Sequence, residues 1–223
     1  MSSRAVEADK QVVAEAAVEF VEPGMTVGLG TGSTVAYLLP ALARRQLDIR
    51  CVATSRGTET DGTALGLHIL PFSGIDHLDV AIDGADQVDP RGWLVKGGGG
   101  AHTREKIVAA AAARFVVIVS ADKTVDTLEP PVPLELLRFG LDATLRALPD
   151  ARIRDGVPDS PDGGVIADWH GSGLSDPARV AGLLAGTAGV VEHGLFAPEL
   201  VSDVLISRDG TVEHRRVNPP RGR

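Results

Sequence analysis

Met25 to Arg45, MTVGLGTGSTVAYLLPALARR, sets a short apolar run before a cluster of glycines and hydroxyls, with an apolar-spaced segment after it. That order reads as strand, Gly-rich turn, helix, the first half of a βαβ unit. Upstream, Val6, Val13, Ala17 and Phe20 stand at helical spacing between charges across residues 4–22, and Pro23 and Gly24 close the helix. Downstream, IRCVAT (49–54) reads as a second buried strand, TETDGTALGLH (58–68) as a short helix and turn, and LDVAID (78–83) as a third strand with its polar end at Asp83. TREKIVAAAAARF (103–115) is rich in strong helix formers, its alanine run 109–113 serving as helix interior, and FVVIVSA (115–121) is a β-branched buried strand. Alternation of this kind predicts a parallel sheet covered by helices on both faces.

Three prolines between Glu129 and Pro133 mark a crossing, after which the elements shorten. VPLELLR, GLDATLRAL, ARIRDG, GGVIADWH, DPARVAGLLAG and GVVEHGLF follow in the order β, α, β, β, α, β, that of a small split-βαβ unit. SDVLISRDGTVEHRRV (202–217) reads as a hairpin turning at Asp209-Gly210 and returning to the first unit. The expected division is 1–130 with 203–223 as an α/β, Rossmann-like parallel-sheet domain, and 131–202 as a smaller inserted α+β (ferredoxin-like) domain.

Composition narrows the function. In 223 residues, 30 Asp plus Glu outweigh 22 Lys plus Arg, and the net charge of −8 disfavours a nucleic-acid partner. The basic end HRRVNPPRGR is read as a frayed, solvated terminus. A single cysteine, Cys51, excludes an internal disulfide and reads as a small buried hydrophobe; with no signal-like segment it points to the cytoplasm. No apolar stretch reaches the roughly 20 residues needed to span a membrane.

Three segments carry candidate chemistry. In GLGTGSTV (28–35), glycines and the hydroxyls of Thr31, Ser33 and Thr34 stand where a strand yields to a helix, a place that suits a phosphate, although an N-cap and tight turn explain it equally well. It lacks the lysine of a Walker loop and the last glycine of the dinucleotide fingerprint. In AIDGADQVD, Asp83 and Asp86 flank Gly84 and Ala85 at a strand's carboxyl end, where a ligand crevice forms; turn capping is the simpler alternative, and Mg²⁺ a further one without other support. KGGGGAHTREKI is the most unusual stretch, because four ordered glycines are costly in entropy unless backbone must approach a ligand. Glu105 follows in the first helical turn, where spacing alone says only that it complements the helix dipole. Lys123 follows a buried strand and Lys10 lies on the first helix; both are ordinary solvated cations on this reading. His102 is the only histidine beside the motifs, no His pair has zinc spacing, and the histidines are read as structural or surface groups.

In order and spacing, GLGTGSTV, the Thr54-Ser55 pair, DGAD (83–86), KGGGGAHTREKI and ADK (121–123), with GVVEHGLF behind them, resemble the A-type ribose-5-phosphate isomerases from about residue 10 to 207. The resemblance implies a sugar-phosphate substrate, a homodimer or higher homo-oligomer, no cofactor and no metal. It implies Glu105 as general base, with Asp83, Asp86 and Lys96 around it. It implies substrate contacts from Lys10, Thr31, Gly32, Ser33, Thr34, Asp83, Gly84, Ala85, Asp86, Lys96, Gly97, Gly98, Gly99 and Lys123. Departures from the family pattern stand at Arg56, Gly100 and Ser160–Gly164, and bear on substrate preference. Rival readings are another sugar-phosphate isomerase or deaminase, a CoA transferase without a visible covalent glutamate motif, and a regulator's sensing module, for which no helix-turn-helix precedes the site.

Overall fold

The structure is a computed structural model that describes residues 3–221. The first part of the chain runs α1 (Ser3–Ala17), β1 (Thr26–Leu29), α2 (Ser33–Arg45), β2 (Arg50–Ala53), α3 (Arg56–Ala64), β3 (Leu78–Asp83), the short β4 (Gln87–Val88) and β5 (Leu94–Val95), α4 (His102–Ala111) and β6 (Ala112–Ser120). The second part runs β7 (Val132–Leu136), α5 (Leu141–Ala147), β8 (Ala151–Ile153), β9 (Val165–Trp169), α6 (Pro177–Ala185), β10 (Val190–His193), β11 (Leu195–Phe196), β12 (Asp203–Arg208) and β13 (Thr211–Arg216).

The main sheet has the order β13-β12-β6-β3-β1-β2, with β13 alone antiparallel. Side chains alternate across its pleat. Val116 and Ile118 of β6 face a core with Val13 and Ala17 of α1 and Leu38 and Leu42 of α2. Phe115, Val117 and Val119 face the opposite core with Val108 and Ala109 of α4. Burial on both faces is why these strands read as continuous apolar runs.

The second sheet, β10-β7-β9-β8, is antiparallel throughout and encloses its own core of Leu134, Leu136, Ala167, Trp169, Val180 and Leu184. Its βαββαβ order is the split-βαβ arrangement expected. The residues at the outer limits of the expected first domain, 1, 2, 222 and 223, lie outside the described residues.

Four local readings change. The alanine run is divided: α4 stops at Ala111, and Ala112 and Ala113 begin β6, because Ala112 pairs with Leu78 and sheet pairing overrides helix propensity. The first helix gives way to a 3₁₀ turn at Val18–Phe20. GVVEHGLF is two strands, β10 and β11, because the chain passes the Lys96 backbone at Gly194, where a Cβ would lie 2.1 Å from the Lys96 carbonyl oxygen. β11 then joins β5 and β4 in a third, unforeseen sheet. Lastly, the basic terminus is anchored as far as Arg221, whose guanidinium donates to the carbonyls of Ala109 and Ala110, while Asn218 donates to Pro198 and Val201.

The β12–β13 hairpin turns through Asp209 and Gly210 at φ of 50° and 78°, the left-handed geometry of a two-residue loop. Their amides donate to the carboxylate of Asp9 on α1, at 3.3 and 3.0 Å. Asp9 is buried, so the loop fixes the helix against the sheet's far edge. Asp9→Ala strands two amide donors and is expected to lower the unfolding free energy by about 1–3 kcal/mol, with Asp9→Asn losing less, measured by urea unfolding. Equal stability of the wild type and Asp9→Ala would remove this contact from the fold's support.

Candidate active site

In an open α/β sheet the ligand crevice lies beyond the carboxyl ends of the strands, where the order reverses. Here β1 lies between β2 and β3, and the loops after β1, β3 and β6 meet at that edge. They bring together Thr31–Thr34, Gly84–Asp86 and Lys123. Lys96–Gly99 close one side, Glu105 reaches in from α4, and Lys10 from α1. The cavity they line measures about 180 Å³. Every residue expected to touch substrate lines it except Asp83, which lies just behind the wall.

Asp83, Lys96 and Glu105 form a buried ionic triad. The Lys96 ammonium is 2.9 Å from Asp83 and 3.1 Å from Glu105, with each side chain at most 4% exposed. It also donates to the Gly84 carbonyl oxygen at 2.5 Å. Asp83 accepts in addition from the amides of Thr31 at 3.0 Å and Gly84 at 2.7 Å. The Lys96–Glu105 contact is close in distance but not angled as a hydrogen bond, so Glu105 Oε2 is held by charge alone. Asp83 thus accepts two amide hydrogen bonds on one oxygen and has Lys96 beside the other, while among the described residues Glu105 Oε2 has no hydrogen-bond partner.

Burial dominates the titration of the triad. It pushes the Glu105 carboxyl up to about 8, helped by the negative charge of Asp83 and opposed by that of Lys96. It also raises Asp83, against the pull of Lys96 and the two amides. Burial opposes charge on Lys96 as well, but the two carboxylates outweigh it and hold its pKa above the ordinary lysine value. The dipole role that spacing assigned to Glu105 is not its placement: the side chain turns inward from the first turn of α4, toward the lysine.

Two glycines are dictated by contact. A Cβ on Gly30 would lie 1.9 Å from the Asp83 carboxylate, and one on Gly98 would lie 2.8 Å from Asp86 Oδ1. The Gly98 amide instead donates to Asp86 Oδ2 at 2.8 Å. Asp86 is exposed to the cavity, unlike its neighbour Asp83.

The same cavity is lined by the start of α2 at Ser33, with the Ser33 and Thr34 hydroxyls, and by Lys10 and Lys123. This is anion-binding chemistry from a helix terminus and two cations. Lys10 is oriented by Glu7 at 2.6 Å, itself held by the Tyr37 hydroxyl at 2.9 Å. Thr31 shares a 2.8 Å hydrogen bond with Thr54.

Val6 and Asp122 also line the cavity and were not singled out from sequence. Asp122 was findable, since it shares Lys123's position beyond β6; Val6 looked like any other core residue of an amphipathic helix. His102 is fully buried, its pKa driven down to about 4 by burial, and does not reach the cavity. Arg56 opens α3, outside the cavity. Gly100 turns the loop at φ 71°, and Ser160–Gly164 form a turn in which Ser160 donates to Glu135 at 2.5 Å and accepts from the Gly164 amide at 3.0 Å.

The family model for ribose 5-phosphate isomerase A (phosphoriboisomerase A) matches residues 50–210. This chain belongs to that family. The ribose-5-phosphate isomerase A of Dinoroseobacter shibae is 41% identical, over 94% of this chain and 88% of its own length. That of Caulobacter sp. strain K31 is 42% identical, over 90% and 94%. Among solved structures, ribose 5-phosphate isomerase A from Neisseria gonorrhoeae superposes with a TM-score of 0.89 at 30% identity, covering 95% of this chain and 97% of that one. A D-ribose-5-phosphate isomerase in complex with phospho-erythronic acid matches with the same TM-score, 0.89, at 34% identity, over 95% and 99%.

The raised carboxyl in this family member has a consequence for stability. A group whose folded pKa exceeds its unfolded value gives stability that is complete below the unfolded pKa and lost as pH rises through the folded one. For Glu105 that window runs from 4.5 to about 8. Glu105→Gln, which resembles the neutral acid, is expected to match the wild type near the bottom of the window and exceed it increasingly toward the top. Thermal unfolding across this pH range checks it, and a gap independent of pH would contradict the raised pKa.

Proposed function

We propose that the protein interconverts ribose 5-phosphate and ribulose 5-phosphate through an enediol, with Glu105 as the general base. The observation that carries this reading is a carboxyl pushed up to about 8, buried beside Lys96, in a small cavity that Ser33, Thr34, Lys10 and Lys123 also line with groups suited to an anion. The bound sugar-acid phosphate of a 34% identical relative fits the same division of labour.

The phosphate is placed at Ser33, Thr34, Lys10 and Lys123, which leaves the carbonyl end beside Glu105. Removing a proton from C2 needs a base stronger than an ordinary carboxylate, and a pKa near 8 supplies one. Glu105 carries that proton from C2 to C1. The developing enediolate oxygen meets the Gly97–Gly99 backbone and the positive field of Lys96. Lys96 acts from within the triad, since it donates to the Gly84 carbonyl and sits between the Asp83 and Glu105 carboxylates. Asp86 is assigned the hydroxyl protons and ring opening in preference to Asp83, because Asp86 reaches the cavity and Asp83 is enclosed.

The reading places all proton transfers on side chains, needs no cofactor, and sets the enzyme in the cytoplasm and in the non-oxidative pentose phosphate pathway. It takes residues 131–202 as the inserted unit and the assembly as a homodimer. The exposed apolar side chains Phe139, Leu137 and Leu183, which are 93%, 52% and 49% exposed, support association. Sedimentation at micromolar concentration is expected to give twice the chain mass, and a monomer would exclude the dimer.

The deciding assay is ketose formation from ribose 5-phosphate by the purified protein in EDTA, expected to proceed at full rate. Glu105→Gln should lower kcat by about 10²–10⁴-fold with KM nearly unchanged. In the wild type, kcat/KM should climb with pH toward a plateau above about 8, since the base works ionised. Near-normal turnover by the variant would remove Glu105 from the role, and turnover of a different sugar phosphate alone would favour the related isomerase or deaminase.

A further inference from the structure

Arg154 belongs to none of the sequence motifs and does not line the cavity. It follows β8 directly, where its amide donates to the Ile166 carbonyl at 3.0 Å and keeps it in the small sheet. One edge of its guanidinium is committed to Asp168 on β9, through Nε at 2.8 Å and Nη2 at 2.5 Å. The remaining Nη1 donates to the carbonyl oxygens of Gly97 at 3.2 Å and Gly98 at 2.9 Å. We infer that Arg154 is a positioning residue for the isomerase reaction, which fixes and polarises the glycine loop from the small sheet.

The chemistry follows from peptide groups being shared between neighbours. The carbonyl of Gly97 and the amide of Gly98 are one peptide unit, and that amide is the donor to Asp86. A cation on the carbonyl draws electron density from the unit and strengthens the N–H as a donor. The next unit joins the Gly98 carbonyl to the amide of Gly99, a residue that lines the cavity. Among the described residues no acceptor takes the Gly99 amide, which leaves it for an anionic oxygen of the reacting sugar. Glycine is the residue with most backbone freedom, and inside the run the tie among the described residues is one turn hydrogen bond, from the Gly100 amide to the Gly97 carbonyl at 3.0 Å, so these amides need an outside support. The bidentate fork to Asp168 supplies a rigid one, and a lysine cannot make it while also reaching two carbonyls. The small sheet thereby contributes to the site without contributing a side chain to the cavity.

The inference rests on the isomerase reading, so its test has one arm with substrate and one without. In the ketose assay, Arg154→Met is expected to lower kcat by about 10- to 100-fold, the size typical of an outer residue that orients an inner one, with KM within about twofold and the melting temperature preserved. Added methylguanidinium should restore part of the lost kcat to Arg154→Ala, which a purely structural role would not permit. Without substrate, amide hydrogen exchange by NMR should show Gly98 exchanging faster in Arg154→Met than in the wild type. Unchanged kcat, or unchanged exchange at Gly98, overturns the inference. Should the Met variant fail to fold, Arg154→Lys decides: wild-type kcat overturns the inference, and a reduced kcat at unchanged KM supports it. Wild-type protein inactive on ribose 5-phosphate would defeat the functional reading instead, and the exchange result would still judge Arg154.

Discussion

One buried ammonium between two buried carboxyls sets the terms for the rest of this molecule. Removing three ionisable groups from water is expensive, and the attraction between them offsets that only where further hydrogen bonds complete the set. Here the completion is uneven. Asp83 accepts two amide hydrogen bonds on one oxygen and meets the lysine with the other, whereas one Glu105 oxygen has charge contact only among the described residues. The unevenness separates two carboxyls that burial raises alike: Asp83 is enclosed by protein, whereas Glu105 lines the cavity.

The fold around the triad is arranged to hold it. Asp83 ends β3, Lys96 follows β5, and Glu105 sits one turn into α4, so three separate elements must dock before the charges meet. Gly30 leaves room for the Asp83 carboxylate, and the β4–β5–β11 sheet pins the chain on which Lys96 lies. The second unit grips α4 from outside: Thr103 donates to Glu135 of β7 at 2.5 Å, and Arg104 pairs with Asp162, in the turn before β9, at 2.6 Å. The Ser160–Gly164 departure from the family pattern thus falls in a supporting turn, away from the cavity wall.

Much of this was legible in the sequence because local chemistry and tertiary demand coincide. β6 is β-branched and buried on both faces, so its text and its environment agree. The GLGTGSTV turn, the DGAD end and the four glycines sit where strand-end geometry puts ligands, and the family resemblance drew Glu105 to them. What escaped depends on long-range partners. The division of the alanine run is set by pairing with Leu78, the short β4–β5–β11 sheet by two-residue contacts too small to leave a pattern, and the anchoring of the basic terminus by carbonyls more than a hundred residues earlier. Arg154 looked like any polar residue leaving a strand, since only the folded chain brings it to the glycine loop.

The contact between Asp9 and the Asp209–Gly210 turn ties the order of synthesis to the onset of catalysis. Lys10, the next residue after Asp9, belongs to the cavity, yet the strand pair that steadies its helix follows every segment that lines the cavity, and so leaves a ribosome after them. A nascent chain that has emerged only through β11 lacks β12, the neighbour of β6, and so has an incomplete central sheet as well as an unsecured first helix. The helix that carries Lys10 is then without its Asp9 contact, and the cavity has its full support only when β12 and β13 are in place.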